Sequence, residues 1–74
     1  MNREINKVDL IAQLATRERE VFDCIVIGMR TKEIGDKFNI KANTVSTIKK
    51  VIFRKLNVAS NIELFKIAQE CQLV

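Results

Sequence analysis

Between Ala42 and Leu56 the chain repeats branched apolar residues at helical spacing: Val45, Ile48, Ile52 and Leu56. At about 100° per residue these four fall in one narrow stripe. Asn43, Thr47, Lys50 and Arg54 lie within roughly 60° of one another on the opposite side, with Ser46 beside them. A segment so divided belongs at a boundary, with one face on a core and the other towards water or a polar partner. Lys49 falls nearer the apolar flank than Lys50, so its ammonium has to snorkel outward along its own methylenes.

The punctuation of the chain extends this helical reading to all of it. There is no proline, and glycine occurs only at Gly28 and Gly35. A sheet-rich domain of this length would need several tight turns built from those residues. With 74 residues, the chain is one domain near the lower limit of what a single core stabilises. Cys24 and Cys71 are far apart and the chain has no histidine, which argues against a zinc site and leaves no cofactor implied. Cys24 lies in an apolar run and is expected in the core. No stretch reaches the length of a membrane span, the start is not a signal peptide, and a reducing cytoplasm is the expected setting.

Four helices are expected, giving an all-α, compact four-helix bundle. Residues 1–13 carry only weak periodicity and read as an arm, a linker or a loose amphipathic turn. The first helical pattern starts near Thr16 and stops at Gly28, which is free to take a left-handed conformation just past the last turn. A second runs from about Thr31 to Phe38, with Ile34 and Phe38 on one side. Gly35 inside so short a helix costs about 1 kcal/mol relative to alanine, a cost understandable where another helix approaches closely. Asn39-Ile40-Lys41 reads as a turn with Ile40 inward, and the third helix follows over about 42–56. Ser60 and Glu63 have capping-box spacing for a fourth, about 61–71. Its apolar residues cover more of the circumference than one core face needs, which suggests a second buried surface.

Thirteen Lys and Arg against nine Asp and Glu give a formal charge of +4, which suits a polyanion. Two short helices joined by a tight turn, the second basic and polar outside, match the helix-turn-helix plan. A helix fits the major groove, where base edges present distinguishable donors and acceptors. Lysine and arginine neutralise phosphates, and Asn43, Thr44, Ser46 and Thr47 reach phosphates or bases without excess length. The run Lys49-Lys50 with Arg54 and Lys55 reads equally as solvated surface on this helix alone. An enzyme is not expected, because the chain has no histidine, no phosphate-cradling glycine loop and no nucleophile beside a base.

Leu14, Arg17-Glu18-Arg19-Glu20-Val21, Gly28, Lys32-Glu33-Ile34, Ile40, Thr44-Val45, Lys55-Leu56, Val58 and Ser60 form one ordered series. With these residues the chain resembles the DNA-binding domain of LuxR-type regulators and NarL/FixJ response regulators, over about residues 14–70. The resemblance implies a helix-turn-helix domain over 14–74 after an arm or linker at 1–13. Its third helix would enter the major groove of double-stranded bacterial DNA. It further implies base reading by Ser46, Thr47 and Lys50, and phosphate or flanking contacts by Thr44, Lys49 and Arg54. Lys32 would reach the DNA backbone. The fourth helix would pair with its twin in a homodimer through Leu64, Phe65 and Ile67, which otherwise only close the monomer core. RNA polymerase is a further candidate partner.

Departures from the family pattern fall at helix starts. Ala15 replaces the usual small polar cap, so Thr16 is expected to cap one residue late, and Arg30 and Lys41 stand where Ser or Thr is common. Ser46 stands where many members carry a cation, and Ile48 replaces an aromatic. Two other readings stay open: a σ-factor region-four-like promoter-binding module, and a degenerate helix-turn-helix used for protein association.

Overall fold

The computed structural model describes residues 7–71, with the side chains of residues 7 and 8 excepted. Among these residues every regular element is a helix: α1 (Lys7–Ala12), α2 (Thr16–Val26), α3 (Thr31–Phe38), α4 (Ala42–Leu56) and α5 (Asn61–Glu70). The four expected helices are α2 to α5, and a fifth precedes them. The segment read as an arm or loose turn is a short helix over part of its length. Ile11 of α1 and Leu14 just beyond it are buried in the core, where α1 packs on α4.

Three of the interhelical connections are built the same way. Gly28, Asn39 and Asn57 all have positive φ, the left-handed conformation that ends a helix. In each case the next residue's N–H returns to a carbonyl five residues back: Met29 to Cys24 at 3.0 Å, Ile40 to Gly35 at 2.9 Å and Val58 to Phe53 at 2.9 Å. That next residue is apolar every time, and Met29, Ile40 and Val58 all pack against the core. Each turn thus satisfies orphan carbonyls and pins itself with a hydrophobic contact. Gly28 and the inward Ile40 are as expected from sequence.

Gly35 has a specific cause. A Cβ there would lie 2.7 Å from the carbonyl oxygen of Ile40 and 3.6 Å from Cγ2 of Val45. The close neighbour is the turn's own backbone as it bends into α4, with the α4 side chain behind it. The α3–α4 connection is therefore as tight as a chain without a side chain at that point allows.

Val45, Ile52 and Leu56 point from α4 into the core, where they join Val21, Phe22, Cys24, Ile34 and Leu64. Ile48 is half-buried and packs on the same cluster. The four-residue stripe therefore faces inward, and α4 is the element on which α1, α2 and α3 converge. Burial lifts the Cys24 thiol above its usual pKa. Arg17 of α2 lies over the Phe38 ring of α3 with 4.6 Å to the centroid.

The helix starts correct one expectation. Ala15, not Thr16, is the N-cap of α2, and Thr16 is the first helical residue. Ala15 has no side-chain acceptor to offer, but its own N–H donates to Glu18 Oε1 at 2.9 Å. The Arg30 N–H donates likewise to Glu33 Oε1 at 2.7 Å. Carboxylates in the first turn thus supply half of a capping box where the cap residue cannot. At Ser60 the hydroxyl accepts from the Glu63 N–H at 3.3 Å, while Glu63 reaches back to the Ala59 N–H.

Candidate nucleic-acid interface

The outward face of α4 carries Asn43, Thr44, Ser46, Thr47, Lys50 and Arg54, all exposed. They share one helix whose other side packs into the core through Val45, Ile48, Ile52 and Leu56. Thr47 is the most constrained of them, because its hydroxyl donates to the Asn43 carbonyl oxygen one turn back at 3.0 Å. Lys49 is half-buried, as its position on the apolar flank requires, and it borders a shallow cleft with Ser46, Lys50, Phe53 and Asn61. Lys32 is exposed on α3, a separate helix from the other expected DNA contacts.

Electrostatics distinguish α4 from its neighbours. α1, α2, α3 and α5 each carry an acidic residue in the first turn: Asp9, Glu18, Glu33 and Glu63. α4 has none, its N-cap is Lys41, and no side chain caps it. The positive end of its dipole is therefore left uncompensated on the same side as the exposed polar residues.

The basic run does not act as one patch. Lys55 turns away from it: its ammonium donates to Glu18 Oε1 at 2.7 Å and to the Gln13 carbonyl oxygen at 3.5 Å. That node ties the end of α4 to the start of α2 and to the turn after α1. Hydrogen bonding from Lys55, then from the Ala15 N–H, holds the Glu18 carboxyl below its ordinary pKa. Glu18 and Lys55 both belong to the ordered series of the sequence, and here they are partners.

α5 divides differently from the expectation. Leu64 and Ile67 are core residues of the monomer, packed with Ala68 where α5 meets α2. Of the three residues expected to meet a twin, Phe65 alone is exposed, at 41%. Ile62, one of the apolar residues behind the expected second surface but not among those expected to meet a twin, is 69% exposed on the same helix. The signal for it was present. Leu64, Ile67, Ala68 and Cys71 follow i, i+3, i+4, i+7 spacing, and Ile62 lies opposite that stripe. A shallow groove between α5 and the 27–31 turn is lined by Ile62, Phe65, Met29 and the 71%-exposed Ile27, together with Arg30 and Lys66.

Among the described residues no helix is long and apolar enough to cross a membrane, and no cluster of acidic and cysteine side chains could hold a metal ion.

Residues 12–68 match the luxR family of bacterial regulatory proteins. The chain is 38% identical over 64 residues to the virulence-factor transcription regulator BvgA of Bordetella pertussis, covering 86% of this chain and 31% of that one. It is 41% identical over 56 residues to the response regulatory protein YgeK of Escherichia coli, covering 76% and 38%. To the transcriptional regulatory protein DesR of Bacillus subtilis it is 37% identical over 57 residues, covering 77% and 29%. The matched region thus spans about a third of the length of these relatives. No solved structure gives a significant match. A match over most of the chain, carried on a helix-turn-helix with its polar face outward, settles the family: the chain belongs to the luxR family of bacterial regulatory proteins and is a DNA-binding transcription-regulator domain.

Proposed function

We propose that α4 enters the major groove of a specific DNA site, with Ser46, Thr47 and Lys50 towards base edges. Thr44, Lys49 and Arg54 meet phosphates or flanking positions, Asn43 completes the polar face, and Lys32 reaches the backbone from α3. One observation carries this reading: the exposed polar face of α4 stands directly opposite a stripe that packs into the core, with Val45, Ile52 and Leu56 buried and Ile48 half-buried. Support comes also from the α4 start, where a lysine N-cap and the lack of any first-turn carboxylate favour an anion. Two copies bind two half-sites, and the exposed apolar pair Ile62 and Phe65 of α5 is the surface through which they meet. RNA polymerase is the partner through which such binding acts on transcription.

Selection of bound duplexes from a random pool, at stated salt, tests the reading by returning half-site sequence, spacing and symmetry together. Affinity for the selected duplex falls steeply as salt rises, because several phosphate contacts release counterions. Lys50→Ala weakens that binding by about 1–3 kcal/mol and relaxes one base position if Lys50 reads a base. No binding to any duplex at low salt overturns the proposal.

A further inference from the structure

Three hydroxyls stand on the exposed face of α4, at Thr44, Ser46 and Thr47, and one of them differs from the others. Thr47 Oγ1 donates its proton to the carbonyl oxygen of Asn43 at 3.0 Å. The hydroxyls of Thr44 and Ser46 make no hydrogen bond among the described residues. A hydroxyl has one proton and two lone pairs. With its proton held by its own helix, Thr47 keeps only acceptor capacity for a partner. Thr44 and Ser46 can rotate to donate or accept as the partner requires.

From this geometry we infer that Thr47 is a specificity residue that accepts from an exocyclic base amine, selecting adenine or cytosine on the strand it faces over guanine or thymine. The inference rests on α4 lying in the major groove, as proposed above. There adenine offers N6–H and cytosine N4–H, whereas guanine offers only O6 and N7 and thymine only O4 and its methyl group. An acceptor-only Thr47 pairs with the first two and leaves the oxygens of the other two unsatisfied. Lys50, with donors only, has the opposite preference and favours guanine. The two residues are three apart on the helix, about 4.5 Å along its axis, against a step of about 3.4 Å between neighbouring base pairs. A half-site in which an amine-bearing base adjoins a guanine follows from that pairing.

Two substitutions separate the possible contacts. Thr47→Val keeps the branched shape and the methyl group but puts a second methyl in place of the hydroxyl, and Thr47→Ser keeps the hydroxyl but removes the methyl. The selected duplex is prepared with each of the four bases at every position of one half-site, and each version is titrated with the wild-type chain and both variants at one low salt concentration. At one position the wild type prefers A or C over G or T by about fivefold, the size of one ordinary hydrogen bond. Thr47→Val loses that preference and Thr47→Ser keeps it. A Thr47-dependent position that prefers G or T overturns the inference. So does loss of selectivity in Thr47→Ser with retention in Thr47→Val, which marks a methyl contact with thymine. Selectivity unchanged in both variants overturns it as well. All three of those outcomes leave binding intact, so they are distinct from failure of the wild type to bind any duplex, which removes the groove reading itself.

Discussion

α4 and α5 are both amphipathic, both bury a stripe in the same core, and yet they leave opposite surfaces to the outside. α4 buries Val45, Ile52 and Leu56 and shows the solvent amides, hydroxyls and cations. α5 buries Leu64, Ile67 and Ala68 and still shows Ile62 and Phe65. A helix whose exposed side is polar is complete in water and suited to a polar partner such as a phosphate-lined groove. One whose exposed side keeps two large apolar residues gains by having that side covered. On the function proposed above, the difference assigns two tasks within one small domain, recognition to α4 and association to α5. It also separates residues one position apart, since Leu64 is buried completely while Phe65 is not.

Leu64 supplies the largest expected effect. Leu64→Ala removes a fully buried side chain at the α2–α5 contact and leaves a cavity behind. The cost is about 2–5 kcal/mol, read as a lower urea midpoint at unchanged slope. A loss that size is a large fraction of the stability of a domain this small. Little change in midpoint would mean that Leu64 is not a core residue, and the division of α5 into two faces would fail.

What could be read in advance follows the same physics. The bounds of α4 were legible because four turns of strict alternation between an apolar stripe and a polar face admit one orientation. Gly28 and Ile40 were legible because the left-handed stop and its apolar companion are local. α1 was not, because one and a half turns carry too few residues to show a period, and the burial of Ile11 and Leu14 is decided by contact with α4. The Glu18–Lys55 pair joins residues 37 positions apart. No helical spacing relates them, so the partner of Lys55 could not be read in advance. In α5 the apolar residues surround so much of the helix that Phe65 and Leu64 looked equivalent. Only packing against α2 ranks them.

Glu18 tests whether α4 owes its placement to its anchored end. With its pKa lowered in the folded state, Glu18 binds a proton more readily when the chain unfolds. Its contribution is complete above the ordinary glutamate pKa and is lost as pH falls through the lowered folded-state value. Glu18→Gln keeps an acceptor for the Ala15 N–H but gives up the charge facing Lys55. The variant is less stable than wild type by about 0.5–1 kcal/mol at neutral pH, a modest figure because the pair is partly open to solvent. Denaturation midpoints of the two proteins converge as the pH is lowered. A gap that persists unchanged in acid would show that the effect is packing, not charge.

The smallest effect on folding per site is expected from Ile62→Ser with Phe65→Ser, and it is the sharpest on the division of tasks. Both side chains are exposed, so stability changes by only about 0.5 kcal/mol per site. Neither lies on α4, so affinity for a duplex carrying one half-site stays the same. On a duplex carrying two half-sites the wild type binds cooperatively, because the second copy gains apolar contact with the first as well as contact with DNA. The double variant binds the same duplex as two independent copies. If it unfolds instead, Phe65 belongs to the core and α5 has a single face. If cooperativity survives, the copies meet elsewhere, and the apolar side of α5 has some other partner.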